Sequence, residues 1–226
     1  MTFSIAARCP ETRMFGVAVS SSSPAVAARC AFARAGVGAA CSQNITDPRL
    51  GTLLLDKMEA GQFATEAMEQ VTGGEPLIGY RQLTAIDRWG STAAFSGEGT
   101  LGTHAVAHGT DCVAAGNLLA DPGVPDAMAA AFAEAAQARA HLGARLVAAM
   151  RAGLDAGGEM GPVRSVGLLV VREVAWPVAD LRVDWSDDPI GDLERLWDVW
   201  APQLDAYVSR ALDPGAAPSY GVPGDE

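Results

Sequence analysis

Residues 2–20 read TFSIAARCPETRMFGVAVS and contain two short runs of strand-forming residues separated by a turn. In residues 2–8, Phe3 and Ile5 alternate with the smaller or polar Thr2 and Ser4, which is the period of a β-strand. The intervening CPETR segment contains Pro10 and turns the chain before the second run, residues 14–20. We therefore predict a β-hairpin whose first strand begins at the second residue.

Beyond this hairpin, strand patterns alternate with pairs of helical patterns. Residues 35–43 are predicted as a third strand of small residues, and residues 48–71 as two helices separated at Gly61. The later elements are hairpins over 81–96 and 104–116, helices over 125–139 and 141–156, strands over 164–171 and 179–184, and a helix from 188 through 207. This order predicts an α/β protein of the α+β kind, with two stacked, mostly antiparallel sheets flanked by helices.

The length and composition are typical of one domain with a large core. The chain has 226 residues, of which 49% are hydrophobic and only 6% aromatic. Alanine, valine and leucine make up most of the hydrophobic fraction, which favours closely packed layers. We predict a single domain over residues 1–212 and a flexible tail over residues 213–226.

The charge balance argues against several classes of partner. Sixteen basic residues face 27 acidic ones, for a formal charge of −11, and Lys57 is the single lysine. This balance repels phosphate backbones and anionic lipids, so we expect neither nucleic-acid nor membrane binding. No apolar run approaches the roughly 20 residues of a membrane span, and the signal-peptide order of residues is absent. We expect a cytoplasmic protein that binds a small molecule.

The cysteines and histidines give no metal motif. His104 and His108 fall in one predicted strand, where that spacing separates them by about 13 Å. The four cysteines form no CxxC pair and no Cys/His metal spacing, and we interpret them as reduced, buried thiols: Cys9, Cys30, Cys41 and Cys112. We predict neither a metal ion nor an organic cofactor.

Short motifs are spread along residues 2–212: TFSI at 2–5, FGVAVS at 15–20, RAGVGA at 34–39, QN at 43–44 with DPRLG at 47–51, RQL at 81–83, AGNLLA at 115–120, GGE at 157–159 and DLRVD at 180–184. Taken together they resemble the bacterial domain-of-unknown-function 1028 family, which is grouped with the N-terminal-nucleophile (Ntn) hydrolase superfamily. The resemblance implies a four-layer αββα sandwich. It implies much less about a substrate.

Thr2 is the candidate nucleophile of such a hydrolase. Removal of Met1 would leave Thr2 with a free α-amine beside its own hydroxyl. An amine with a pKa of about 8 can accept the hydroxyl proton while the oxygen attacks a carbonyl. Threonine is also a common strand residue, so the position alone does not establish the role. The expected activity is hydrolysis of a small amide or an acylated amino compound.

Two further catalytic candidates lie at predicted strand ends. Ser20 ends the second strand, and the run from Ser20 to Ser23 could orient the Thr2 amine, although a serine-rich turn before Pro24 explains the run equally well. Asn117 follows Gly116 and resembles the Gly-Asn pairs that donate hydrogen bonds to the oxyanion in some Ntn hydrolases. Asparagine also tolerates turn geometry, which leaves a purely structural role open.

Two more pairs complete the candidate site. Gln43 and Asn44 close the third predicted strand and could face the same end of the molecule as Asn117, with Asn44 as another catalytic candidate and Gln43, like Gly116, as a substrate contact. Arg164 and Ser165 could receive a substrate carboxylate, because a guanidinium binds carboxylates through two parallel hydrogen bonds.

Two other functions compete with hydrolysis. The first is a non-catalytic protein that keeps the same fold and holds a metabolite in the same cleft. The second is a structural or oligomerisation role, favoured by Trp185, Trp197 and Trp200 in the C-terminal part of the chain. A homodimer is compatible with each of the three.

Overall fold

The computed structural model describes residues 1–224 and has an α+β architecture of ten strands and seven α-helices in that range. The strands are β1 (Thr2–Cys9), β2 (Met14–Ser21), β3 (Ala31–Arg34), β4 (Gly38–Asn44), β5 (Arg81–Asp87), β6 (Thr92–Ser96), β7 (Ala105–Gly109), β8 (Cys112–Asn117), β9 (Ser165–Val171) and β10 (Ala179–Val183). The helices are α1 (Ala27–Cys30), α2 (Pro48–Glu59), α3 (Ala64–Gly74), α4 (Val124–Gln137), α5 (Leu142–Asp155), α6 (Pro189–Trp200) and α7 (Leu204–Leu212).

The strands form two sheets whose neighbouring strands are all antiparallel. The larger sheet has the order β10-β9-β2-β1-β8-β7, and the smaller one has the order β3-β4-β5-β6. Helices α4, α5 and α6 pack on the outer face of the larger sheet, and α2 and α3 pack on the smaller sheet. This arrangement confirms the predicted sandwich of two stacked sheets flanked by helices.

Side-chain size differs between the layers of the sandwich. Bulky residues such as Phe3, Met128 and Phe132 fill the core between the larger sheet and its helices. The layer between the two sheets contains several small side chains, among them Ala6 and Ala39, beside the larger Phe15 and Ile86. Where small side chains lie in this layer, the two sheets can approach closely.

Two of the longer helices begin at an Asp-Pro pair. The Asp47 carboxylate accepts a hydrogen bond from the Arg49 amide, and Pro48 takes the first helical position of α2. Asp188 does the same for α6 through the Gly191 amide, with Pro189 in first position. Proline suits this position because its missing amide proton would have no helical partner there.

The structure differs from the predicted elements in three regions. The predicted third strand begins at Gly38 rather than at residue 35, because Gly36 takes a φ of 71° in a turn that the Val37 amide closes onto the Arg34 carbonyl. Before that turn lie the short α1 and β3, which the sequence analysis did not predict. The final helix is interrupted by a 3-10 turn over Ala201–Gln203, where Pro202 cannot donate a helical hydrogen bond.

The last residues of the described chain contact α7. The Arg210 guanidinium donates to the carbonyl oxygens of Pro218 and Ser219, and it lies 3.8 Å from the centre of the Tyr220 ring. Asp225 and Glu226, which belong to the predicted tail, lie outside the described residues. The flexibility of residues 213–226 stays a prediction.

All four cysteines are buried and unpaired within residues 1–224. Burial raises the pKa of the Cys41 and Cys112 thiols to about 12, so both are protonated and poorly nucleophilic at neutral pH. In the same part of the chain, none of the helices combines the length and apolar character needed to cross a bilayer.

Gly143 on α5 is expected to be intolerant of alanine. A Cβ at this position would run into the ring of Trp197, which itself is buried. We expect Gly143→Ala to lower the free energy of unfolding by about 1–3 kcal/mol through overpacking. Gly73 on α3 is the matched control, because a Cβ there meets nothing within 4 Å. Gly73→Ala should leave stability unchanged or raise it by about 0.5 kcal/mol in urea unfolding.

Candidate active site

Thr2 lies at the start of β1, in the middle of the larger sheet. Strand β1 pairs with β2 on one side and β8 on the other, where Thr2 lies opposite Asn117. Only 5% of the Thr2 surface is exposed. Pairing on both sides holds this part of the chain rigidly, in contrast to most chain ends.

Two hydroxyl groups bind the carbonyl group of Met1. Thr2 Oγ1 and Ser21 Oγ each donate a hydrogen bond to the Met1 carbonyl oxygen at 2.5 Å. The Met1 side chain extends over Gly161, at a distance of 3.3 Å from the position that a Cβ there would take. The Met1–Thr2 peptide is therefore held between β2 and the loop that follows α5.

Glu159 in that loop brings a buried carboxyl group to the same end of the sheet. Its surface is 4% exposed, and both carboxylate oxygens lie 3.1 Å from the Ser22 amide nitrogen. A bridge between Glu159 and Leu119 fixes the loop against the segment that follows β8. Burial raises the Glu159 pKa to about 7, while the Met1 ammonium and the hydrogen bonds from Ser22 act in the opposite direction. This carboxyl group exchanges a proton near neutral pH.

A buried chain of polar side chains joins the two sheets beneath Thr2. Ser4 Oγ donates to Gln43 Oε1 at 2.6 Å, and Gln43 Nε2 donates to Gln82 Oε1 at 2.9 Å. Asn117 Nδ2 donates to the same Gln82 oxygen at 3.0 Å, and Gln82 Nε2 donates to the Gly116 carbonyl at 3.0 Å. Asn117 Oδ1 is buried and has no hydrogen-bond partner in residues 1–224. An unpaired buried acceptor is costly, which marks this oxygen as a candidate contact for a ligand or for a processed chain end.

The structure does not bring Ser20 to Thr2. Ser20 pairs with Phe3 across the β1–β2 ladder, so the two side chains share the face that is covered by helices. Its hydroxyl donates to the Ser165 carbonyl at 3.0 Å. Ser21, one residue further, points to the face that Thr2 occupies and contacts Met1. The side chain next to Thr2 is therefore that of Ser21.

Three other predicted site residues contact neighbouring groups of the fold rather than Thr2. They are Asn44, Arg164 and Ser165. Ser165 Oγ donates to the Ser23 carbonyl at 2.6 Å. The Arg164 guanidinium pairs with Asp187. Asn44 takes a φ of 71°, and its side-chain amide donates to the Tyr80 carbonyl at 2.7 Å. None of these contacts involves Thr2.

The sequence analysis placed Ser21 only within the run Ser20 to Ser23, and it missed Gln82 and Glu159. Only the strand register decides which serine of that run faces Thr2. Gln82 is the second residue of β5, and a buried amide at such a position is a signal for an internal hydrogen-bond network. Glu159 directly follows the Gly157–Gly158 helix stop, and its proximity to Thr2 depends on how α5 crosses the larger sheet.

Comparisons with known proteins place the chain in a family. A family model described as a family of unknown function, DUF1028, matches residues 2–193. This chain belongs to the DUF1028 family. The crystal structure of the DUF1028 protein SPO2555 from Silicibacter pomeroyi is similar to it, with 32% sequence identity, a TM-score of 0.80 and 88% of each chain covered. The predicted family is thereby confirmed.

A second solved structure overlaps the DUF1028 chain much less closely. It is Anbu, the ancestral beta-subunit from Yersinia bercovieri, with 11% identity, a TM-score of 0.37, and coverage of 91% of this chain and 97% of that one. No curated protein matches the chain.

Proposed function

We propose that this protein is an N-terminal-nucleophile amidohydrolase in which Thr2 attacks the carbonyl of a small amide or an acylated amino compound. The observation that carries the proposal is the pair of hydroxyls on the Met1 carbonyl. Thr2 Oγ1 and Ser21 Oγ both reach a carbonyl group at the end of a rigidly held strand. A buried, titratable carboxyl group, that of Glu159, lies at the same end.

In the proposed reaction, Met1 is first removed, so that Thr2 acquires a free α-amine. The amine takes the proton of Thr2 Oγ1 as this oxygen bonds to the substrate carbonyl carbon. The C–N bond of the amide then breaks, and the leaving amine carries away the proton. The resulting ester on Thr2 is hydrolysed by water, which releases the acid and regenerates the hydroxyl group.

Ser21 is proposed to stabilise the oxyanion. Its hydroxyl already donates to a carbonyl oxygen that is two bonds from the Thr2 nitrogen, so Ser21 Oγ lies within about 5 Å of that nitrogen. Once Met1 has gone, this donor is free for a substrate carbonyl, and donors of this kind stabilise the charge that develops in the transition state.

Glu159 and Asn117 are proposed to position the amine and control its proton. The Asn117 amide nitrogen already donates to Gln82, so its free Oδ1 is suited to accept an N–H of the amine rather than to bind an oxyanion. Glu159, with a pKa of about 7, can exchange a proton with the amine at neutral pH.

Intact mass spectrometry of the protein purified from its native host tests the first step. We expect a mature chain that is lighter by one methionine residue and begins at Thr2. Retention of Met1 on the whole population would exclude catalysis by the Thr2 amine, because an acylated nitrogen cannot act as the base.

The alternative is a non-catalytic protein that binds a metabolite. The contact of the Met1 side chain with Gly161 favours it, since Met1 is held in a defined position in the unprocessed chain and only 5% of the Thr2 surface is exposed there. A protein of this type would keep Met1 and would bind its ligand without turnover.

A further inference from the structure

Two adjoining clefts lie at the end of β1 that is farthest from Thr2. They separate the β1–β2 turn from the α4–α5 turn and have volumes of about 630 and 330 Å³. Strand β1 runs from Thr2 to Cys9, which places the clefts on the order of 20 Å from Thr2. Both clefts are lined by Glu11, Ala136 and Arg145.

Arg145 on α5 is a largely buried charge that forms no salt bridge within the described residues. It is 8% exposed, and its Nε donates to the Ala140 carbonyl at 2.7 Å. Within residues 1–224, its Nη1 and Nη2 atoms have neither a hydrogen-bond acceptor nor a carboxylate within 4.0 Å. Other arginines do form ion pairs: Arg8 contacts the carboxylate of Asp111, and Arg151 contacts that of Glu194. The two Nη atoms are not enclosed by protein, so they are accessible from the clefts and can donate to a bound anion.

The fixed orientation of Arg145 makes this space a defined site. The Nε hydrogen bond holds the guanidinium plane, so that the two Nη groups remain available along the wall of both clefts. Two neighbouring N–H groups in one plane match the two oxygens of a carboxylate.

Charge in the larger cleft favours an anion. Arg139 and Arg145 line it together with one acidic residue, Glu11, in a protein whose net charge is −11. The Glu11 pKa is lowered by the hydrogen bond from Cys9 and, to a smaller extent, by Arg145 and Arg139. His141 also lines the cleft, and burial lowers its pKa, so it stays neutral at pH 7 and above.

The remaining wall of the larger cleft is apolar. Ala136, Ala140 and Leu142 line it beside Arg145. Small-molecule sites commonly combine such a wall with a few polar groups that fix the orientation of the ligand.

We propose that this cleft binds a small organic carboxylate, with the carboxylate on the Arg145 Nη atoms and an apolar body against Ala136, Ala140 and Leu142. The site is separate from Thr2 and does not depend on the proposed hydrolysis. Glu11 faces the bound carboxylate across the cleft and weakens its binding.

Benzoate is the probe, and isothermal titration calorimetry with the full chain is the measurement. We expect saturable binding to the wild type and at least about tenfold weaker binding to Arg145→Lys, because lysine keeps the charge but loses the planar pair of donors. Glu11→Gln should bind benzoate about threefold more tightly, because it removes a like charge. Arg195→Gln on α6, a residue that lines neither cleft, and Thr2→Ala are controls and should bind as the wild type does.

Several results would overturn the proposal: no benzoate binding to the wild type at millimolar concentration, equal binding to Arg145→Lys, or binding of inorganic phosphate in preference to benzoate. Glu11 is exposed, so its replacement does not threaten folding. If Arg145→Lys does not fold, unchanged benzoate affinity of Glu11→Gln would by itself exclude the site.

Discussion

Replacement of Thr2 by alanine is expected to abolish amide hydrolysis, with a loss of at least about 10³-fold in kcat, while the protein still folds. The substitution removes the attacking oxygen but keeps a small residue after Met1, so processing of the chain end should proceed. The lost hydroxyl makes one hydrogen bond, to the Met1 carbonyl, and its removal should cost about 1 kcal/mol of stability. The measurement is amine release from a panel of acylated amino compounds, with circular dichroism as the check on folding.

Thr2→Ser is the matched control for this substitution. Serine keeps both the hydroxyl and the amine of the processed chain, so it should retain turnover where alanine has none. Wild-type turnover that survives in Thr2→Ala would show that another residue is the nucleophile. A ligand that raises the melting temperature of the wild type and of Thr2→Ala equally, without turnover in either, would favour the metabolite-binding alternative.

The layers of the fold could be predicted from the sequence, starting at residues 2–20, because the spacing of hydrophobic residues distinguishes strands from helices. The alternation of Phe3 and Ile5 with polar residues predicts β1, and the Asp188–Pro189 pair predicts the start of α6. The short α1 and β3 could not be predicted in the same way. They contain only four residues each, and their burial depends on packing against β4 and β9 rather than on a local pattern.

The candidate site was less predictable than the fold. It depends on the register of paired strands and on how α5, far along the chain from Thr2, crosses the larger sheet. The sequence identifies Thr2 and Asn117, and the β1–β8 ladder places them opposite each other. It cannot decide between Ser20 and Ser21, because a shift of one residue moves a side chain to the other face of the sheet. Glu159 is more than 150 positions from Thr2 along the chain, and only the path of α5 brings it to the same end.

The second large effect is expected from Glu159→Gln, which should make the protein more stable at alkaline pH and less active. The Glu159 pKa rises from 4.5 to about 7 on folding, because burial disfavours the charged form. Between these two values the folded state binds more protons than the unfolded state, so the stability of the wild type falls as the pH rises through this window. Below pH 4.5 Glu159 is protonated in both states and does not reduce the free energy of unfolding. Above pH 7 its ionisation reduces the free energy of unfolding by about 3 kcal/mol.

Glutamine cannot ionise, but it keeps an oxygen that can accept the Ser22 amide hydrogen bond. Urea unfolding should therefore give Glu159→Gln an advantage over the wild type that is larger at pH 8 than at pH 4 by about 3 kcal/mol. Glu69→Gln, an exposed position on α3, controls for the loss of one negative charge and should show no such gain. An equal difference at the two pH values would contradict a buried Glu159 that titrates near neutrality.

Glu159→Gln also tests whether the destabilising Glu159 carboxyl group is needed for catalysis. A buried carboxyl group that lowers stability at neutral pH is a feature that proteins retain where function requires it. If Glu159 exchanges a proton with the Thr2 amine, Glu159→Gln should lose about 10–100-fold in kcat and lose the limb of the pH–rate profile near pH 7. A variant that gains stability at pH 8 and keeps the wild-type rate and pH profile would restrict Glu159 to a structural role in the loop after α5.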